Sequence, residues 1–313
     1  EALLSPPPRD AAPGLYWLTA TRRGLCSNRV PFALDALPEA LEQPPNDRPE
    51  TPQTVAFPLV INGRIEKPDD WDVFAFTGHA NQSIVAEVQA RRLGSPLDSI
   101  LKLTDPTGTV LALNDDYEDV ASGPTTHQAD SCFLVTLPAD GTYQVHLGDT
   151  ARQGGEAYGY RLRLSEPEPD FALRVAPSSI GLRGRSTATV SVYAQRKDGF
   201  DSPIRLALQN PPRGFSAPSI TLAATQTVAR LTIRSDRGPT DEPVDLRIVG
   251  TATIGGQEIT RQAVPAEDMM QAFLWRHLVP ARDLKALVFN PATQPMPGRL
   301  ARTRPQPPAT PSP

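Results

Sequence analysis

The chain has 313 residues, enough for two ordinary domains and connecting segments. It carries 35 Pro and 21 Gly against only 19 aromatic residues in all, which excludes the usual α/β enzyme composition and fits small β-sandwiches. A net charge of −4 gives no whole-chain reason to expect nucleic acid or a membrane surface as partner. No apolar run approaches a membrane span.

Residues 1–37 read as strands of a truncated upstream β domain. Gly14–Ala20 and Arg29–Leu34 are the strand candidates, and Arg22-Arg23-Gly24 is the turn between them. Cys26 falls here and Cys132 in the next unit, so a disulfide between them is not expected. Residues 38–55 form an acidic, Pro-rich connector bearing Glu39, Glu42, Asn46, Asp47 and Glu50.

Residues 56–165 carry short strand candidates at regular spacing: 57–65, 72–77, 83–90, 99–104, 109–113, 132–137, 142–147 and 158–164. Asp105-Pro106-Thr107-Gly108, Ala139-Asp140-Gly141 and Gly154-Gly155 read as turns, the last as a hairpin turn. This spacing predicts a sandwich or jelly roll. Trp71, Val73 and Ala75 should face one side of their strand, with Asp72, Phe74 and Phe76 on the other. The one long connection, 114–131, gathers Asp115, Asp116, Glu118, Asp119 and Asp130, a second acidic cluster without EF-hand spacing. A solvated loop and a site ordered by His127 are its two readings.

Residues 166–170, Glu-Pro-Glu-Pro-Asp, read as a stiff hinge. Seven strand candidates over 171–263 fit an immunoglobulin-like sandwich, although this unit has neither Cys nor Trp. In 264–290, Met269, Met270, Phe273, Leu274 and His277 recur at helical spacing and Pro280 would end the helix; an extended segment is the competing reading. From Pro291 to Pro313 there are eight Pro and no acid, the composition of a disordered tail.

Nucleophilic, zinc and phosphate-loop motifs are absent from the sequence, and a glycosidase-type carboxylate pair among its 35 acids stays open. There is no Gly-x-Ser-x-Gly elbow, no His-Glu-x-x-His, no Cys-x-x-Cys and no phosphate loop. His146 alternates with apolar neighbours and is expected to point outward. Trp71, Tyr117, Tyr158 and Tyr160 are the aromatics considered for sugar or peptide binding.

The organising stretch is Lys67-Pro68-Asp69-Asp70-Trp71-Asp72, three carboxylates where a turn enters a strand. Such acids are costly unless neutralised. Lys67 does part of that, and a hard cation taking several oxygens would do it better. Glu42, Asn46 and Asp47 supply a second set of oxygens upstream. Ordinary turn residues are the alternative, since Asp and Asn favour turns for local reasons.

Asn46-Asp47, Val60–Ile65, Pro68–Phe76, Arg91–Asp98, Leu113–Asp116 and Leu137–Tyr143 together resemble the bacterial pre-peptidase C-terminal domain over about residues 40–165. The resemblance implies a jelly-roll-type β-sandwich from a secreted or cell-surface protein, and a Ca²⁺ ion held by Glu42, Asn46, Asp47, Asp70 and Asp72. Pro44 stands where the pattern has a second Glu, and Val73 where it has an aromatic. The immunoglobulin-like resemblance of the following unit is generic.

The expectation is therefore an all-β chain in four parts: 1–37, a calcium-binding sandwich at 38–166, an immunoglobulin-like sandwich at 167–263, and a linker and tail at 264–313. Its expected role is a non-catalytic, extracellular accessory or adhesion region recognising a protein or polysaccharide, with neighbouring domains on the same polypeptide. The rival is an accessory part of a secreted peptidase or other hydrolase whose catalytic domain lies elsewhere.

Overall fold

The computed structural model describes residues 3–4, 11, 13–118, 127–270 and 276–290. The described chain is all-β apart from one 3₁₀ turn at Arg91–Leu93. No helix among the described residues is long and apolar enough to cross a membrane. Strands Gly14–Leu18 and Val30–Leu34 pair as an antiparallel ribbon near the N-terminus.

The first sandwich is built from β1 (Glu39–Leu41), β2 (Gln53–Thr54), β3 (Leu59–Arg64), β4 (Trp71–Gly78), β5 (Ser83–Gln89), β6 (Ser99–Thr104), β7 (Val110–Asn114), β8 (Cys132–Thr136), β9 (Gly141–Asp149) and β10 (Gly159–Ser165). One sheet has the order β8-β5-β10-β3-β1 and the other β7-β6-β9-β4-β2. Period-two alternation puts Ile84, Ala86, Val88, Leu162 and Leu164 of the first sheet against Phe74, Phe76, Leu101, Leu103, Tyr143, Val145 and Leu147 of the second. Phe57, Phe76 and Tyr143 stack in series, with ring centroids 5.7 and 6.0 Å apart. The Tyr143 hydroxyl donates to Ala139 O at 2.6 Å, so this buried ring keeps a partner for its polar end.

The expected connector is part of the sandwich. Its first strand pairs parallel with β3 at the edge of one sheet, and its second pairs parallel with β4 at the edge of the other. Between them the chain crosses from sheet to sheet. Gln53 ties the two halves: its Nε2 donates to Leu41 O at 3.1 Å and its Oε1 accepts from Gln43 N at 2.8 Å.

One local expectation is corrected. Gly154-Gly155 is not a hairpin turn, because β9 and β10 lie in different sheets and the loop between them crosses the sandwich. Glycine is required at 154 because a Cβ there would collide with the Lys67 backbone. His146 points outward from β9 as expected, yet it is buried there, with Nε2 3.2 Å from Thr104 Oγ1. Burial, with the nearby Lys102 charge, depresses its pKa to about 4. Because the folded value lies below the unfolded one, the unfolded chain binds more protons between pH 6.5 and 4, and stability falls as pH drops through that window. Acidification to pH 4 should cost on the order of 2 kcal/mol through this group, and His146→Gln should remove that loss relative to wild type. A His146→Gln melting profile parallel to that of wild type from pH 6.5 to 4 would refute the assignment.

The second unit is also all-β. A curled sheet runs β15-β17-β13-β11-β20-β19-β14-β16, where β11 is Asp170–Ala176, β13 Thr187–Lys197, β14 Ile204–Leu208, β15 Phe215–Ser216, β16 Ile220–Leu222, β17 Val228–Ser235, β19 Ile248–Ile254 and β20 Gln257–Met270. A smaller sheet, β12 (Ser179–Arg183), β22 (Leu284–Phe289) and β18 (Val244–Leu246), closes over it around a core that includes Phe171, Leu182, Val192, Leu231 and Val288. The unit therefore extends to Phe289, past the boundary expected at 263. The helical reading of 264–280 is also corrected. Glu267, Asp268, Met269 and Met270 lie on β20 and pair with β21, Arg276–Pro280. Arg276 forks onto Asp268 at 2.6 Å, and Ala266 and Leu278 are buried between the two strands and Ala176. Met269 and Met270 are exposed, so their spacing reflects no packed helical stripe. Phe273, Leu274 and the tail from Pro291 lie outside the described residues.

Candidate metal centre

The acids singled out in the sequence meet where the connector crosses the end of the first sandwich. Asn46 O accepts from Val73 N at 2.8 Å, which sets Asn46 beside the start of β4. Lys67-Pro68-Asp69-Asp70 makes a tight turn, with Asp70 N donating to Lys67 O at 3.3 Å and Asp69 in the left-handed region at φ 62°. Pro at the second position and Asp at the third suit that geometry. The turn delivers Asp70 and Asp72 into the interior, where they are 5% and 1% exposed.

Asp72 shares the inward face of β4 with Phe74 and Phe76, as the alternation predicted. Tyr160 reaches across from the opposite sheet and donates its hydroxyl to Asp72 Oδ2 at 2.7 Å. Glu42 hydrogen-bonds the same carboxyl. Its Oε2 also accepts from Arg64 N at 2.7 Å. Burial, then the neighbouring Glu42, pushes the Asp72 carboxyl up to about 9, against the opposing hydrogen bond from Tyr160. Burial and the negative charge of Asp72 push the Tyr160 phenol up as well.

Glycine at 63 makes room for this cluster. A Cβ there would strike the Tyr160 hydroxyl and approach Glu42 Oε2 to 2.6 Å.

Asn46 is fully buried, yet neither its Oδ1 nor its Nδ2 has a hydrogen-bond partner. Asp70 Oδ1 is likewise buried and without one. Its nearest cation is Lys67 Nζ at 3.8 Å, beyond hydrogen-bonding distance. Leaving such groups unsatisfied costs about 1–3 kcal/mol each, more when charged. Asp47, by contrast, is engaged at the rim. Lys67 Nζ donates to it at 2.7 Å and holds its carboxyl below the usual range.

The structure thus pairs Glu42 with Asp72, sets Asp70 near enough to act on the Asp72 charge, places the Asn46 backbone beside Val73, and turns Asp47 toward Lys67. Among the described residues no three His, Cys, Asp or Glu side chains are grouped to hold a metal by themselves. The oxygen set here depends on the Asn46 amide as well as the carboxylates. Residues that the sequence reading missed are Tyr160, the hydrogen-bonding partner of Asp72, and Gly63, which makes room for it. As a candidate binding aromatic Tyr160 is expected at the surface, whereas its alternation with Leu162 and Leu164 signals its place on the inward face of β10.

Of the second acidic cluster, the described members stand apart. Asp130 is fully buried and caps the 3₁₀ turn, accepting from the backbone N–H of Ala90, Arg91 and Arg92 and from Arg92 Nε at 2.7 Å. Asp115 and Asp116 are exposed. Asp119 and the side chains of Glu118 and His127 lie outside the described residues. Nor do the aromatics form a binding platform. Tyr160 is buried, Tyr158 packs against the core, and Tyr117 donates to Arg196 O at 3.2 Å. Trp71 lies over Gly148 with Lys102 Nζ 5.5 Å from its ring centroid. Cys26 and Cys132 are free thiols, and burial pushes the Cys132 thiol up to about 12.

No family model matches the chain. It is 38% identical over 135 residues to a subtilase-type serine protease of Deinococcus radiodurans. The match takes in 40% of this chain and 17% of that protein's length. Among solved structures it is similar to the pre-peptidase C-terminal domain of a Bacillus anthracis collagenase, with 16% identity and a TM-score of 0.29 over 38% of this chain and 100% of that one. A secreted protein from Eubacterium rectale, 10% identical, aligns over 75% of this chain and 81% of its own with a TM-score of 0.27. The class defined by the fold is an all-β chain with a two-sheet sandwich of the kind expected of the pre-peptidase C-terminal domain. The relative that it matches in sequence is a peptidase, of which the chain spans a minor part.

Proposed function

We propose that this chain is a non-catalytic accessory region of a secreted peptidase, and that its first sandwich binds one Ca²⁺ ion through Glu42, Asn46, Asp70 and Asp72. The observation that carries the metal reading is the pair of buried oxygens without a hydrogen-bond partner, Asn46 Oδ1 and Asp70 Oδ1, together with the crowded Glu42–Asp72 pair. Hard oxygen donors, irregularly arranged and anionic, suit Ca²⁺, which takes 6–8 such ligands; backbone carbonyls and water complete the number. The ion supplies positive charge to acids whose mutual repulsion otherwise opposes burial. Asp47 stands as an outer ligand in competition with Lys67.

The peptidase context is supported by the sequence match to the subtilase-type protease and by the motifs shared with the pre-peptidase C-terminal family. It moves the preference from an adhesion module for an extracellular polymer to a peptidase accessory region. The second sandwich, read as immunoglobulin-like from its strand spacing, acts as its companion. The role of the ion is to fix the connector across both sheets, so that what precedes it is held at a set angle.

The test is a thermal melt of the full chain with Ca²⁺ and with a chelator. A ligand at a hundredfold excess over Kd stabilises the native state by about 2.7 kcal/mol. For sandwiches of this size that is a rise of about 5–10 °C. Equal melting temperatures in Ca²⁺ and chelator would overturn the metal assignment. Peptide hydrolysis by the isolated chain would overturn the non-catalytic one.

A further inference from the structure

Residues 166–170 read in the sequence as a hinge, yet the structure places an ion-pair relay across it. The relay starts at the 3₁₀ turn. Arg92 Nε binds Asp130 at 2.7 Å and its Nη1 binds Glu87 at 2.8 Å. Glu87 on β5 lies directly across from Arg163 on β10 and binds it at 2.9 Å. Arg163 then leaves the first sandwich. Its Nη1 and Nη2 fork onto the two oxygens of Asp198 at 2.8 and 2.7 Å. Asp198 belongs to the second unit. Its Oδ2 also accepts from Glu168 N at 2.9 Å, which fastens the linker itself.

The second unit presents Asp198 by turn chemistry. Lys197-Asp198-Gly199-Phe200 closes with Phe200 N on Lys197 O at 2.9 Å, and φ is 50° at Asp198 and 76° at Gly199. Two successive positive φ values define the type I′ turn, for which Asp-Gly is a favoured pair. The tip of this turn lies against the first sandwich, since a Cβ on Gly199 would come within 3.0 Å of Leu134. Tyr117 Oη reaches Arg196 O from the other side of the turn.

The joint is dry. The Arg163 and Asp198 side chains are 14% and 6% exposed. Val60, Val85 and Ser165, which point away from the sandwich core on the outer face of that sheet, are buried too. Burial works against the Glu87 charge, but Arg92 and Arg163 together outweigh it and hold the carboxyl below its usual range. Exposed ion pairs contribute little, whereas a desolvated forked pair with further hydrogen bonds is costly to break from one side.

We infer that the two sandwiches form one rigid body, keyed by the Arg163–Asp198 fork, and that the linker between them is not a hinge. A docked companion presents the calcium-bearing sandwich at a fixed angle, which two beads on a flexible tether would not.

The test uses the full chain and Asp198→Gly, which keeps the left-handed turn and deletes the carboxylate. Solution scattering should show a larger maximum dimension in the variant than in wild type. Amide exchange at Glu168 should accelerate at least tenfold while core amides such as those of Val145 and Val192 keep their protection. Arg163→Gln should reproduce both changes. Unchanged scattering and unchanged Glu168 exchange would overturn the inference. So would an equal loss of protection throughout the first sandwich, which would make the relay an internal brace of that sandwich.

Discussion

Asp70→Asn is expected to abolish most of the calcium-dependent rise in melting temperature while leaving the chelated protein as stable as wild type, or more so. The argument is one of sign. Asp70 is buried close enough to Asp72 to act on its charge, its Oδ1 has no hydrogen-bond partner, and its neighbouring cation is Lys67 at 3.8 Å. Without a cation its charge is a liability, so an isosteric neutral amide removes repulsion at no cost in volume. With a cation the same charge is an attraction, and its loss lowers affinity. The two melts, in chelator and in Ca²⁺, should therefore move in opposite directions. A substitution that destabilises both equally would mean that Asp70 is a turn residue and nothing more. Asp47→Asn serves as the contrast, because Asp47 is paired with Lys67 at the rim and is expected to lose less of the calcium response.

Gly63→Ala is the second large effect. One methyl group at this position enters the space held by the Tyr160 hydroxyl and the Glu42 carboxylate. Tyr160 is 4% exposed and tied to Asp72, and Glu42 is tied to Arg64 N. Overpacking of this kind costs about 1–3 kcal/mol, and here it also separates Tyr160 from Asp72. Denaturant titration should show the loss in chelator and a further loss in Ca²⁺. Wild-type stability in both would mean that the cluster is loosely packed and that the crowding at Asp72 has another origin.

Much of the fold was legible. Alternation along Trp71–Phe76 and Gly141–Leu147 assigned faces correctly, because these strands have one side on a core and period two leaves no other arrangement. The burial of Asp72 was legible for the same reason, since it shares the inward face of its strand with Phe74 and Phe76. What the sequence left open depended on long-range pairing. Glu39–Leu41 and Gln53–Thr54 have no strand pattern of their own and are strands only because β3 and β4 offer open edges. Met269 and Met270 mimicked a helical period because an exposed β-ribbon imposes no period on its outer residues. Asp130 was read with its acidic neighbours, whereas it serves the turn at 91–93, 38 residues away in sequence. Gly154 read as a turn because the Lys67 backbone that demands it is visible only in three dimensions.

The path of the connector has a mechanical consequence. Glu39 and Arg163 both lie opposite Val60, one on each side of β3, and their strands run in opposite directions. The chain therefore enters and leaves the first sandwich at the same end of one sheet. Tension between the preceding segment and the second sandwich would load β1 and β10 from that shared end and peel their hydrogen bonds in sequence rather than shear them together. Under load the edge strand β1 is the weak point, and a cation fixed just beyond it, where Glu42 meets Asp72, would act as the stop that keeps the peel from running into the crossing segment.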